Sequence, residues 1–287
     1  MPDRELADGW RSMLYVPVNR ERFVRSAVSA GADAVILDLE DAIPAEHKDA
    51  GREALAEAVA TLRTGPASVL VRVNRPWMAM LSDLRAAVGA GVDGVIVPKS
   101  DDPAVVRTVD EVLSELEAGR ASGPTQVITL IESARGVRRI DEIVAASERV
   151  IAVSTGIGDL SIDLGASPDS AAISHAFNEV VQATRAAGRT PLGLAGLIVS
   201  FADIDAFRAL AARSRALGST GGSCIHPRQV EVLNEVFGVS AEEITEARRL
   251  VAAYEEAATE GRGSVMVGDT FIDNANYQHA RRLLREA

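Results

Sequence analysis

Apolar positions in this chain follow two rhythms. Short runs of aliphatic and β-branched residues alternate with longer stretches in which apolar residues recur every three or four positions. Runs apolar on both faces of the pleat read as strands buried on both sides, and the periodic stretches between them read as crossover helices. The strands fall at residues 13–16, 35–39, 69–73, 94–97, 127–131, 150–153, 192–197 and 222–225, eight in all. The seventh is poor strand material, because Gly193-Leu-Ala-Gly196 carries two glycines. A unit repeats weakly: Ala30-Gly-Ala-Asp-Ala-Val-Ile-Leu37 echoes Ala90-Gly-Val-Asp-Gly-Val-Ile-Val97, each a helix end, a glycine stop and a buried strand. A looser third copy covers residues 216–225.

Recurrent strand–helix units favour a barrel or a doubly wound sheet. A (β/α)8 barrel takes about 250 residues, so the 287 residues fit one TIM barrel over 1–230 with a C-terminal helical extension over 231–287. In that extension Ser240-Ala-Glu-Glu243 is a capping box opening a helix through about residue 256. Glu260-Gly-Arg-Gly263 breaks it, and a short extended segment at 265–267 precedes a last helix from about Asn276. There is no G-x-G-x-x-G after a strand and no Walker loop, which disfavours dinucleotide and P-loop chemistry.

Composition narrows the partners. The net charge is −11, which argues against nucleic acid, since a phosphate backbone calls for a basic face. Apolar runs such as 197–199 are far too short to cross a bilayer, and the first eight residues carry no secretory pattern. Cys224 is alone, so no internal disulfide forms, and a reducing cytoplasm is the expected home.

In barrels the chemistry lies at the C-terminal ends of the strands. Five strand ends here are charged: Leu37-Asp-Leu-Glu-Asp41, Val71-Arg-Val-Asn74, Pro98-Lys99, Leu130-Ile-Glu-Ser133 and Ser154-Thr-Gly-Ile-Gly-Asp159. Any one acid alone is more often a helix cap or first-turn residue, as Asp41 and Asp159 could be, and Arg72 alone could be an ion-pair partner. Together on one rim, so many acids repel one another unless a cation sits among them. His47, His175, His226 and His279 are scattered, which disfavours zinc. Two carboxylates with waters and substrate oxygens suit Mg²⁺. Arg11, Arg20 and Lys99 could each meet a phosphate or be paired locally.

These stretches, with Arg11-Ser-Met-Leu-Tyr-Val-Pro-Val-Asn19, Ala32-Asp-Ala-Val-Ile-Leu-Asp-Leu-Glu-Asp-Ala42, Leu130-Ile-Glu-Ser-Ala-Arg-Gly136, Gly158-Asp-Leu160 and Cys224-Ile-His-Pro227, make the chain similar to the citrate lyase β-subunit-like branch of the HpcH/HpaI aldolase family. The resemblance runs from about residue 11 to the C-terminus. It implies Mg²⁺ held by Glu132 and Asp159, and Arg72 on a thioester or carboxylate oxygen of the substrate. It implies metal-bound water oriented by Asp38, Glu40 and Asp41, and the keto-acid carboxylate at the backbone N–H groups of Gly156 to Asp159, Gly158 included. An aspartate near the C-terminus reaches in from a neighbouring subunit in this family, and Phe271-Ile-Asp273 matches it; Asp273 reads equally as the N-cap of the last helix. The implied reaction cleaves or forms a β-hydroxyacyl-CoA of malyl-CoA or citramalyl-CoA type, yielding a 2-keto acid and an acyl-CoA, in a homo-oligomer for which relatives suggest a trimer.

The chain departs from this branch at Gly158, where a glutamate is usual, and at 193–198, where an aspartate is common. Two other readings stay open. One is a subunit that needs an acyl-carrier partner or lacks catalysis. The other is a metal-dependent aldolase on free hydroxy-keto acids, although that class carries a histidine where Asp41 stands.

Overall fold

The computed structural model describes residues 7, 9–120, 123–197 and 202–286. Most of the N-terminal stretch read for a leader, and residues 198–199 of the apolar run at 197–199, lie outside the described residues, as does Ile198 of the 193–198 stretch.

Eight strands form one parallel sheet: β1 (Ser12–Pro17), β2 (Ala34–Asp38), β3 (Ser68–Arg72), β4 (Gly94–Val97), β5 (Gln126–Ile131), β6 (Val150–Thr155), β7 (Thr190–Leu192) and β8 (Gly222–Cys224). Their order is β7-β6-β5-β4-β3-β2-β1-β8. A parallel bridge between Leu192 and Gly221 joins the two outer strands. With Gly193 N–H donating to Gly221 O at 2.9 Å, it closes the sheet into a barrel. Strands β2, β4, β5 and β6 are buried at every position. That is why they read as unbroken apolar runs: inward side chains fill the barrel and outward ones meet the helices. Met13, Ile36, Leu70, Ile96, Ile128 and Leu192 form the inner core.

Helices α1 (Glu21–Ala27), α2 (Lys48–Leu62), α3 (Trp77–Ala90) and α4 (Pro103–Leu116) follow the first four strands in turn. Two short helices, α5 (Ala134–Arg138) and α6 (Ile140–Val144), follow β5. Then come α7 (Ile157–Leu164), α8 (Ala171–Ala186), α9 (Ile204–Ala216) and α10 (Pro227–Phe237). Asp102, Ser133, Ser170 and Asp203 cap their helices through side-chain oxygens, satisfying N–H groups that have no intrahelical partner.

The seventh strand differs from the sequence reading. It occupies Thr190–Leu192 rather than 192–197. Gly193 takes a φ of +118°, a backbone conformation closed to ordinary side chains, and turns the chain out of the sheet. Residues 194–197 are therefore rim loop, and Leu194 and Leu197 line a cavity instead of a barrel layer.

A buried brace anchors the loop after β3. Asp83, fully buried on α3, accepts from the backbone N–H and the side-chain amide of Asn74, both at 2.7 Å, and from Arg52 Nε at 2.6 Å. Asn74 also donates to Leu39 O at 3.0 Å, tying the ends of β2 and β3 together. The asparagine of the Val71-Arg-Val-Asn74 motif therefore holds the rim in place.

The chain divides into two compact units, Met1–Asn234 and Glu235–Ala287. In the second, α11 (Ala241–Thr259) packs on α12 (Asn274–Glu286), and Tyr254 stacks on Tyr277 with ring centroids 4.5 Å apart. The expected capping box is present: Ser240 Oγ accepts from Glu243 N–H at 3.1 Å, and Glu243 accepts from Ser240 N–H at 2.8 Å. Between the helices, β9 (Val265–Val267) and β10 (Thr270–Ile272) form an antiparallel hairpin that ends at Asp273.

Candidate active site

The C-terminal ends of β2 to β6 deliver a cluster of charges to one end of the barrel. Arg72, at the end of β3, donates through Nε and Nη2 to Asp38 at 2.8 and 2.7 Å, a two-pronged pair across adjacent strands. Its Nη1 faces Glu40 at 3.0 Å and Asp41 at 3.3 Å. The ring of Tyr15 on β1 lies against its guanidinium, 4.9 Å from the centroid. Lys99 reaches Glu40 at 2.9 Å and Asp159 at 3.6 Å with its ammonium, and its backbone N–H donates to Glu132 Oε2 at 2.8 Å. That orientation is obtained by a left-handed turn at Lys99 (φ +49°), strain of the sort that collects at functional sites.

Five carboxylates (Asp38, Glu40, Asp41, Glu132 and Asp159) thus share two cations, Arg72 and Lys99. The shortage of positive charge is visible in the acids. Burial, then the negative fields of Glu40 and Asp159, push the Glu132 carboxyl up to about 7, against the pull of the Lys99 amide and ammonium. Burial also raises Glu40, partly offset by Lys99 and Arg72.

Gly156 explains how Glu132 reaches its position. A Cβ at Gly156 would lie 2.5 Å from Glu132 Cγ and 2.6 Å from Oε1, so only glycine leaves room. The Gly156 N–H donates to Ile131 O at 2.9 Å. This corrects the expectation that it helps hold a carboxylate. The N–H groups left at the open first turn of α7 are those of Ile157, Gly158 and Asp159; Gly156, the cap residue, offers no side chain to them. Gly158 faces Leu197, whose Cδ2 would sit 3.5 Å from an added Cβ, ordinary contact distance.

Other expectations also change. Asp38 is not free to orient water: besides Arg72, its oxygens accept the N–H groups of Glu40 and Ala42 at 2.9 and 3.0 Å. Its place is to clamp Arg72 and fold the β2 loop. Arg11 precedes β1 and pairs with Asp33 at 2.8 and 3.0 Å, at the opposite end of the strands from the carboxylates. Lys99 belongs to the acid cluster and not to a phosphate site. Arg20 is exposed at the start of α1. Asp273 accepts from the N–H groups of Ala275 and Asn276 at 2.9 and 3.1 Å, so within its own unit it caps α12.

A cavity of about 720 Å³ opens beside the cluster, lined by Tyr15, Arg72, Glu132, Ser154 and Gly156 together with the apolar Leu194, Leu197 and Ile225. A smaller one of about 330 Å³ is bounded by Lys99, Asp101, Glu132, Asp159 and Asp163. Glu132 borders both. Tyr15, Ser154 and Gly156 lie inside the quoted stretches 11–19 and 154–159, but nothing in those stretches gives them a place in the site; the alternation of β1, which sends Met13 and Tyr15 inward together, is the signal that points to the tyrosine.

Residues 11–227 match the HpcH/HpaI aldolase/citrate lyase family. The chain is 32% identical over 284 residues to the citrate lyase subunit beta of Leuconostoc mesenteroides subsp. cremoris, covering 96% of this chain and 93% of that one. It is 32% identical over 303 residues to an L-malyl-CoA/beta-methylmalyl-CoA lyase of Cereibacter sphaeroides, covering 96% and 94%. The fold superposes with a TM-score of 0.78, at 29% identity and over 98% of this chain and 99% of the other, on the CitE protein of Mycobacterium tuberculosis in complex with magnesium, acetoacetate and coenzyme A. The chain therefore belongs to the HpcH/HpaI aldolase/citrate lyase family, as its strand-end motifs indicated.

Proposed function

We propose that this protein is a magnesium-dependent carbon–carbon lyase. It cleaves, or forms, a β-hydroxyacyl-CoA of malyl-CoA or citramalyl-CoA type, with a 2-keto acid and an acyl-CoA as the other partners. The observation that carries this reading is the surplus of carboxylate at the strand ends, five acids against two cations with Asp38 and Glu40 buried, beside a cavity large enough for an acyl thioester. Relatives that share the fold over nearly the whole chain act on malyl-CoA thioesters or hold magnesium and coenzyme A.

The residues present fit the metal. Glu132 and Asp159 supply hard oxygen donors on a common cavity, the kind of ligand Mg²⁺ takes as one or two carboxylates completed by water and substrate oxygens. When bound, Mg²⁺ supplies Lewis-acid polarisation to the keto-acid oxygens. The chain's own groups do the rest. The open first turn of α7 receives the keto-acid carboxylate, as N–H groups and the helix dipole favour an anion there. Arg72, fixed by Asp38, sets a positive field over the thioester oxygen that gains charge as the bond breaks. Asp273 of a neighbouring copy moves the proton at the acyl carbon, leaving its capping contacts to do so. Glu40 and Asp41 hold the cations and water around the metal in register.

The assembly in this reading is a homo-oligomer, a trimer by analogy with relatives, with the second unit on a neighbouring copy. A cytoplasmic setting accords with the single buried cysteine, and among the described residues no helix is long and apolar enough to cross a membrane.

The deciding experiment is a panel of β-hydroxyacyl-CoA thioesters and free hydroxy-keto acids, incubated with and without Mg²⁺ and read by keto-acid release. Release from malyl- or citramalyl-CoA that a chelator abolishes is expected. Turnover only of free hydroxy-keto acids, or none without an acyl-carrier protein, would overturn it.

A further inference from the structure

Tyr15 stands in the site without a task in the scheme above. Its ring packs against the barrel core and lies under the guanidinium of Arg72. The residue lines the larger cavity together with Arg72 and Glu132. Among the described residues its hydroxyl has no hydrogen-bond partner, and it is not one of the polar atoms sealed in the core. A phenol embedded to this depth usually finds a partner for its O–H. The cavity that Tyr15 lines is where such a partner can enter.

Arg72 makes the vacancy meaningful. Its Nε, Nη1 and Nη2 all face carboxylate oxygens, at 2.7 to 3.3 Å. An arginine so committed supplies charge but has little left to direct as a hydrogen bond at a substrate oxygen. Beside it the phenol is a neutral donor held rigid by packing. Burial, foremost, keeps it protonated, with Asp38, Glu132 and Glu40 acting in the same direction and Arg72 against. It can therefore donate a hydrogen bond without surrendering the proton.

We propose that Tyr15 is a catalytic hydrogen-bond donor to the thioester oxygen of the acyl-CoA, acting where Arg72 supplies only field. This rests on the lyase reading and deepens it. In the condensation direction a base removes a proton from the carbon next to the thioester. The C–H electron pair becomes a carbon–carbon double bond, and the carbonyl π pair moves onto oxygen. That oxygen, now negative, accepts the Tyr15 O–H bond. Tyr15 keeps its proton throughout, and the carbon–oxygen double bond re-forms when the new carbon–carbon bond closes. In cleavage the same bond strengthens as the carbon–carbon pair is released. The hydrogen bond is worth most when the oxygen is charged, so it lowers the barrier more than it tightens binding.

The test uses the full-length protein, wild type and Tyr15→Phe, which keeps the ring under Arg72 and removes one oxygen. Acetyl-CoA and propionyl-CoA are incubated in D₂O with Mg²⁺ and oxalate, and loss of protons next to the thioester is followed by NMR. Oxalate affinity is measured separately by calorimetry. The expected result is a fall of about 100-fold in exchange and a comparable fall in kcat for keto-acid release, with KM and oxalate affinity within threefold of wild type. Exchange and kcat in Tyr15→Phe within twofold of wild type would overturn the assignment while leaving the lyase reading intact. So would a rise in KM with kcat unchanged, which marks a group that only binds. Wild-type protein that neither exchanges these protons nor cleaves any thioester of the panel would overturn both.

Discussion

Glu132 is where charge, burial and backbone meet most closely. Its carboxyl is pushed up to about 7 by burial and by Glu40 and Asp159. In the metal-free protein it is therefore protonated below that pH, and a cation binding there must displace the proton. Mg²⁺ affinity should rise with pH up to about 7 and level off above it, falling about tenfold per unit on the acid side; calorimetric titration between pH 5.5 and 8.5 measures this. The sign for stability is the reverse. A carboxyl raised on folding binds protons more tightly in the native state, so without metal its contribution weakens as pH climbs from the ordinary carboxylate range towards 7. Glu132→Gln should remove the pH dependence of metal binding and lower keto-acid release by at least about 10³-fold, with melting temperature within a few degrees of wild type. Most of this was hidden from the sequence. Leu130-Ile-Glu-Ser133 identified the acid, but its neighbours Lys99 and Gly156 are distant along the chain, and the alternation of β1 can turn Tyr15 inward but gives it no role.

At the scale of elements, the rim depends on two small structural decisions. One is glycine at the start of α7. Gly156→Ala would place a methyl group 2.5 Å from Glu132 Cγ. The fold should survive, because the barrel ladder through the Gly156 N–H is unaffected, but Glu132 must turn aside. We expect Mg²⁺ affinity to fall by at least about tenfold with far-ultraviolet circular dichroism unchanged. The other is the brace of Asp83, Asn74 and Arg52 beneath the loop after β3. Asp83→Ala leaves a buried arginine face and two donors unmatched, which should cost about 3–5 kcal/mol, read as a lowered urea midpoint. Strand existence was legible because buried parallel strands must be apolar on both faces. The extent of β7 was not, since Gly193 decides it through a backbone torsion that composition does not record.

For the molecule as a whole, the open question the sequence poses is whether one chain suffices. Asp273 caps α12 within its own unit, yet the lyase reading assigns it to a neighbour's site. Neither Glu132→Gln nor Asp273→Asn homo-oligomers should turn over substrate. Mixed and allowed to exchange subunits at equal amounts, they should regain about a quarter of wild-type activity, because in a cyclic assembly one site in four then pairs an intact Glu132 with an intact Asp273. Recovery of none would assign Asp273 to the site of its own chain, and an Asp273→Asn homo-oligomer as active as wild type would place it outside the mechanism. The aspartate's two readings could not be separated by spacing, since a cap and a base require the same residue at the same point of a helix start.

By itself the sequence determined the alternation of strands and helices, the barrel, the ends of strands at which charge collects, and the family. Each follows from local periodicity, from the need to bury apolar faces, or from short contiguous motifs. Only the tertiary structure decided which charges share a site. It sent Arg11 to the opposite end of the strands with Asp33, made Asp38 a clamp for Arg72, drew Lys99 into the acids and gave Gly156 to Glu132. Those pairings join residues tens of positions apart, and electrostatic interaction depends on distance through space, which is fixed only once the barrel has closed.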